Sequence, residues 1–281
     1  MMFHVERMLL GLGLLWAGGA AAAGIEVHFP GPGLELVGRL YEPAESSARR
    51  PAVVMLHGCS GMWASDTEPT RSYVVWGEHL ARHGFVALLV DSFGPRKQRE
   101  ICTLKDRPVL PGRDRSRDAH AALRWLAARE DIDPSRIHLL GWSNGGQTVL
   151  HSLRPDAPGR QRSGPQFRSG VAFYPGCREI GAPPYRPTAP LLIQAGAADD
   201  WTPARYCEAL AAEAKEGGAR VEIDVYPDAH HAFDRVGTRT RYRPDVYNPS
   251  AESGRGATVG ANPDARKKSF ARATEFLEGF R

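Results

Sequence analysis

Much that would settle the class of this chain at a glance is missing. No internal repeat and no low-complexity tract occurs in its 281 residues, which excludes solenoid and collagen-like architectures. Neither an HExxH nor a CxxC pattern is present, so nothing recommends a zinc site. Charge of one sign is scarce too: the formal net charge is +4, with basic residues scattered, which argues against a nucleic-acid partner. After the first two dozen residues no apolar run approaches the ~20 residues a spanning helix needs. Cysteine is sparse, with four residues at Cys59, Cys102, Cys177 and Cys207. Four allow three pairings, and the residues alone do not choose among them.

What is present is ordinary for a globular enzyme. The chain is 42% hydrophobic and 24% charged, enough for one large core. The opening stretch, residues 1–23, has a basic start at Arg7, an apolar run from Met8 to Ala17 and small residues to Ala23. That is the pattern of a secretory signal, with the mature chain, a single domain over 24–281, beginning near Gly24. Export implies the periplasm or the extracellular medium, surroundings in which the cysteines pair, and no stable membrane association once the signal is removed.

From residue 51 onward short apolar runs alternate with helical periodicity. PAVVMLHG, FVALLVD, RIHLLG, SGVAFY, PLLIQAG and VEIDVYP read as strands covered on both faces. Ala119, Ala122, Leu123 and Leu126 mark one amphipathic helix, and Phe270, Ala273, Leu277 and Phe280 mark the last. IEVHF and LELVGRLYEP precede the alternation as an antiparallel lead-in. The sum is an α/β fold with a mostly parallel sheet of about eight strands flanked by helices. Residues 234–263 show no periodicity and read as a long structureless loop, either a flap or mobile.

The segment LLGWSNGGQTVL places Ser143 between a strand and a helix, with glycines two before and two and three after it. A sharp turn there strains the central residue and brings backbones too close for side chains, while lifting the hydroxyl beside the first amides of a helix. This is a nucleophile elbow; a helix N-cap serine is the plainer alternative. Ser60, in HGCSGM, lacks the paired glycine frame. A serine needs a base, and the base needs an orienting acid. After PLLIQAG stand Asp199 and Asp200; after VEIDVYP stand His230 and His231, in the order such a fold requires. Asp91 reads as a structural residue of the turn before Ser92 and Phe93.

HGCSG, DSFGPR, GWSNGG, GAADDWTP and HHAFD, in that order over roughly residues 51–235, resemble α/β-hydrolases of the dienelactone hydrolase family. The resemblance implies an α/β-hydrolase fold, Asp199 rather than Asp200 as the acid, and His231 rather than His230 as the base. It implies an oxyanion hole from the backbone N–H of Asn144 and, from the loop after PAVVMLHG, that of Cys59. The family's strand order implies the pairings Cys59 with Cys102 and Cys177 with Cys207. One departure matters: the family proper uses a cysteine nucleophile assisted by a glutamate, whereas this chain has Ser143, so dienelactone does not carry over as substrate. Met62, Trp63, Trp142, Tyr174 and Trp201 stand near these loops and suggest an aromatic-lined pocket. Arg96 and the arginines at 235, 239, 241 and 243 read for the most part as solvated surface charge, with a preference for anionic substrates as the alternative and Arg96 the candidate for a substrate carboxylate. The expectation is an exported serine hydrolase of small carboxylic esters, needing no cofactor or metal. A peptidase or amidase on the same triad and a non-catalytic binding protein are the rivals. Oligomeric state is not legible.

Overall fold

The computed structural model describes residues 24–44, 49–180 and 184–280; the expected signal segment, 1–23, lies outside them. Eight strands form one sheet in the order β1-β2-β4-β3-β5-β6-β7-β8. They are β1 (Ile25–Pro30), β2 (Glu35–Tyr41), β3 (Arg50–Leu56), β4 (Val86–Asp91), β5 (Ile132–Trp142), β6 (Gly170–Phe173), β7 (Leu191–Gly196) and β8 (Val221–Tyr226). The lead-in strands β1 and β2 pair antiparallel, as does β2 with β4. From β4 to β8 every pairing is parallel. The expected α/β fold is present.

The central strands read as near-continuous apolar runs because the sheet is covered twice there. In β3, Val53 and Met55 face one layer, with Trp76 and Leu80 of α1 (Arg71–Arg82) and Phe276 and Leu277 of α5 (Pro263–Glu278). Val54 and Leu56 face the other, with Leu123 of α2 (Ser116–Ala127), Leu150 of α3 (Asn144–Ser152) and Leu210 of α4 (Ala204–Glu216). Truncating one such fully buried leucine to alanine costs about 2–5 kcal/mol. After β3 the chain moves to β4 on one side and then returns to β5 on the other. That reversal opens a crevice at the carboxyl ends of β3 and β5, where α/β sheets bind ligands.

Residues 234–263 differ from expectation. They carry an antiparallel hairpin, β9 (Arg241–Tyr247) and β10 (Arg255–Val259), with a bulge between Arg255 and Ala257. Gly256 adopts φ 89° at that bulge, and a Cβ there would lie 1.8 Å from the Tyr242 hydroxyl. Val246, Ala257 and Val259 turn inward onto Phe93, Ile101, Trp201 and the Cys59–Cys102 pair. The segment is an ordered wall.

Four of the described histidines are buried enough to be held neutral, and burial holds His57 well below the ordinary imidazole range. Burial pushes His79, His120 and His151 each down to about 4. A folded pKa below the unfolded one means that the unfolded chain takes up protons first. The stability tied to each ring is therefore intact above about pH 6.5 and is lost as pH falls toward 4. His120 is 3% exposed and bonds the Ser152 carbonyl at 3.2 Å. Between pH 7 and 5 the melting temperature of the parent should fall more than that of His120→Asn, by about 4 °C. Parallel curves in a thermal scan would contradict this.

Candidate active site

Ser143 sits at the junction of β5 and α3 with φ 53° and ψ −114°, a backbone that only an over-determined turn tolerates. The glycines around it make the turn possible. A Cβ on Gly145 would fall 1.9 Å from the Leu56 carbonyl, and one on Gly141 would fall 2.3 Å from the Gly145 carbonyl. The Ser143 amide donates to the Phe173 carbonyl at 2.9 Å, which fixes the elbow against β6.

The hydroxyl so presented meets His231. The His231 Nε2 lies 2.9 Å from Ser143 Oγ, and its Nδ1 lies 2.8 Å from Asp199 Oδ2. Asp199 is itself locked: Oδ1 accepts the amides of Trp201 and Thr202, both at 2.9 Å, and Oδ2 accepts the Thr202 hydroxyl at 2.9 Å. The imidazole is held between Tyr174, edge-on at 4.7 Å, and Trp201 at 4.8 Å. Asp199 and His231 are buried, and the half-buried Ser143 opens onto the cleft.

The neighbours that compete with these residues in the sequence have other partners. Asp200 accepts the amide of Thr258 at 2.8 Å and its hydroxyl at 2.9 Å, tying the acid loop to β10. His230 Nδ1 lies 2.9 Å from the Ala198 carbonyl. Ser60 Oγ accepts from Arg235 at 3.2 Å. Asp91 accepts the amides of Phe93 and Gly94, as its turn role requires.

Two clefts meet at Ser143, Cys59 and Trp201. One runs past Asn144, Gln147, Arg107 and Tyr206. The other runs past Tyr73, Tyr174, Arg235 and Arg241. Cys59 and Asn144, the expected oxyanion donors, thus border the same space as Ser143. The Cys59 loop is pinned by the Cys59–Cys102 disulfide and by the Ile101 amide donating to the Cys59 carbonyl at 2.9 Å.

The sequence profile of the dienelactone hydrolase family matches residues 36–280. The chain belongs to that family. A Bradyrhizobium sp. protein with the provisional name 2-oxo-3-(5-oxofuran-2-ylidene)propanoate lactonase is 29% identical over 186 residues, 59% of this chain and 68% of that protein. A Salmonella typhimurium LT2 protein with the provisional name carboxymethylenebutenolidase is 26% identical over 252 residues, 84% of this chain and 85% of its own. Among solved structures, Thermogutta terrifontis esterase 2 phosphoramylated by tabun superposes with a TM-score of 0.65 at 22% identity, covering 95% of this chain and 97% of that one. The shared fold is that of the α/β-hydrolases.

Within this dienelactone hydrolase frame, the expected pocket residues divide. Trp142, Tyr174 and Trp201 border the clefts. Met62 does not: it is fully buried in the core beneath the loop. Trp63 turns away to donate to Asp91 at 2.6 Å. Arg96 is also corrected. It forms a two-pronged pair with the buried Asp118 at 2.8 and 2.9 Å, bonds the Ser92 carbonyl, and borders neither cleft. A buried acid needs a cation more than a solvated cleft does, and Asp118 lies in the first turn of α2 where no sequence pattern announces its burial. Of the expected arginines, 235, 241 and 243 reach the cleft and Arg239 does not.

Asp234 was missed altogether. Fully buried, it accepts from the Tyr174 hydroxyl at 2.6 Å, Trp142 Nε1 at 2.9 Å and Trp76 Nε1 at 3.3 Å. Burial pushes its carboxyl up from the ordinary range. It fixes the polar ends of two cleft aromatics, leaving their rings as wall. The signal available was its place three residues after His231. The sequence reading also passed over His79, in the last turn of α1, and His83, its C-cap, spaced four apart. Their rings stand 4.4 Å apart and they bond Thr274 and Glu278 of α5. Among the described residues no group of three or more His, Cys, Asp or Glu has metal-holding geometry. Both expected disulfides are formed, Cys59–Cys102 and Cys177–Cys207, each with Cα atoms 5.0 Å apart.

Proposed function

We propose that this family member is a serine hydrolase of carboxylic esters. The observation that carries the reading is the unbroken line from Ser143 Oγ through the His231 ring to Asp199, at 2.9 and 2.8 Å. His231 takes the Ser143 proton on Nε2 as Oγ bonds to the ester carbonyl carbon. Asp199 holds the Nδ1–H tautomer and stabilises the imidazolium. The amides of Cys59 and Asn144 receive the oxyanion. When the carbonyl re-forms, the alcohol leaves with the proton from His231, and Ser143 remains acylated. Water, deprotonated by His231, then releases the acid. No cofactor enters these steps.

Turnover of p-nitrophenyl esters from acetate to octanoate tests the reading, and the chain length at which kcat/KM peaks sizes the acyl cleft. Comparison with the matching anilides separates esterase from amidase.

Arginines line both clefts, and among the lining residues the one carboxylate is Asp234, which is spent on three donors. Esters carrying a carboxylate near the scissile bond are therefore the favoured class. Arg235→Ala should lower kcat/KM for such an ester about 10-fold relative to its neutral analogue. An unchanged ratio would refute that preference.

Two disulfides among the described residues suit an oxidising compartment, and no described helix is long and apolar enough to cross a membrane. Export with removal of residues 1–23 is the localisation we infer.

A further inference from the structure

The two oxyanion amides come from different strand ends. Cys59 follows β3 and Asn144 follows β5. Donors must converge on one oxygen within about 2.7–3.1 Å, so a small shift between the two segments costs catalysis. The β3–β5 ladder holds them only as far as the pair Leu56 and Gly141. Beyond that point a side chain from a third segment spans the gap.

That side chain is Arg115, the last residue of the wide helical turn Pro111–Arg115 that leads into α2. It is 0% exposed. Its Nη2 donates to the His57 carbonyl at 2.8 Å and its Nη1 donates to Asn144 Oδ1 at 2.5 Å. Its guanidinium plane lies over the Phe93 ring, 5.1 Å from the centroid. His57 is also held from the far side, with Nε2 accepting the Ser92 amide at 3.3 Å. Asp118, whose charge favours the Arg115 cation, is bonded instead by Arg96. The hydrogen bonds of Arg115 go to neutral oxygens. Burial lowers it to about 10, so it stays charged at neutral pH.

A fully buried guanidinium on neutral acceptors is an expensive way to fill space, since an apolar residue of like volume packs at no desolvation cost. We propose that Arg115 is a positioning residue of the oxyanion hole: it clamps the His57–Cys59 loop to Asn144 so that the two amides converge on the developing oxyanion. The proposal rests on the serine esterase reading. It assigns Arg115 no contact with substrate. Its effect is on the transition state, when the carbonyl oxygen becomes charged, and not on ground-state binding.

The test uses Arg115→Met, Arg115→Lys and Asn144→Ala in the full protein, with folding followed by circular dichroism and melting. Asn144→Ala removes the side-chain acceptor but keeps the backbone donor, and it carries the test if the buried arginine proves essential for folding. For p-nitrophenyl butyrate, kcat falls about 10- to 100-fold in Arg115→Met while KM stays within about threefold, with Asn144→Ala and Arg115→Lys between that variant and the parent. The Ki of a trifluoromethyl ketone, which binds as a tetrahedral adduct with its oxygen in the hole, rises by the same factor as kcat/KM falls. The Ki of butyrate is unchanged. A folded Arg115→Met with parental kcat, or a loss of kcat with no change in ketone affinity, would overturn the proposal. A parent that hydrolyses no ester would instead remove the esterase reading, and the two failures are distinguished by the parent alone.

Discussion

Ser143→Ala should abolish ester hydrolysis, with kcat/KM for p-nitrophenyl butyrate reduced by about 10^4-fold or more and little change in melting temperature. The hydroxyl hydrogen-bonds His231 but supports no other part of the fold that the Ser143 amide and the flanking glycines do not already hold. Alanine suffers the same penalty as serine at φ 53°, so the strained turn persists with its nucleophile gone. Binding and the oxyanion amides remain, and they set the residual rate. Comparing kcat/KM and thermal scans of the two proteins checks this. A variant retaining more than about a tenth of the activity would remove Ser143 from the chemistry.

The second large effect separates two adjacent aspartates. In Asp199→Asn the amide oxygen still accepts from Trp201 and Thr202, so its NH2 faces His231 Nδ1. The ring is then driven to the tautomer with its proton on Nε2, which cannot accept the Ser143 proton, and kcat falls about 10^4-fold. Asp200→Asn keeps an acceptor for the Thr258 amide and loosens the β10 attachment at most. Its kcat stays within about fivefold of the parent. Equal losses in both variants would contradict the assignment, as would a larger loss in Asp200→Asn.

The parts that were legible in the sequence are those where local pattern and function coincide. The central strands β3 to β7, covered on both faces, wrote themselves as apolar runs, while the partly exposed β1, β2 and β8 were anticipated as extended segments before and after that run. Ser143 was legible because the elbow demands glycine where backbones touch. The choice of Asp199 and His231 came through the family resemblance, since both members of each pair are equally able acids or bases in isolation. The hairpin was illegible for a physical reason. It packs on loops instead of the sheet, only Val246, Gly256, Ala257 and Val259 of its strands and Asn248 at its turn are buried, and arginines and Pro244 break the alternation. Arg96, Arg115 and Asp234 belong to long-range polar contacts, which no local spacing records.

Intact mass and peptide mapping of the protein after reaction with a fluorophosphonate test the Ser143 assignment most directly. A single stoichiometric adduct is expected on Ser143, forming in step with loss of esterase activity and absent from Ser143→Ala. An unmodified protein, or an adduct on Ser60 with Ser143 free, would contradict that assignment.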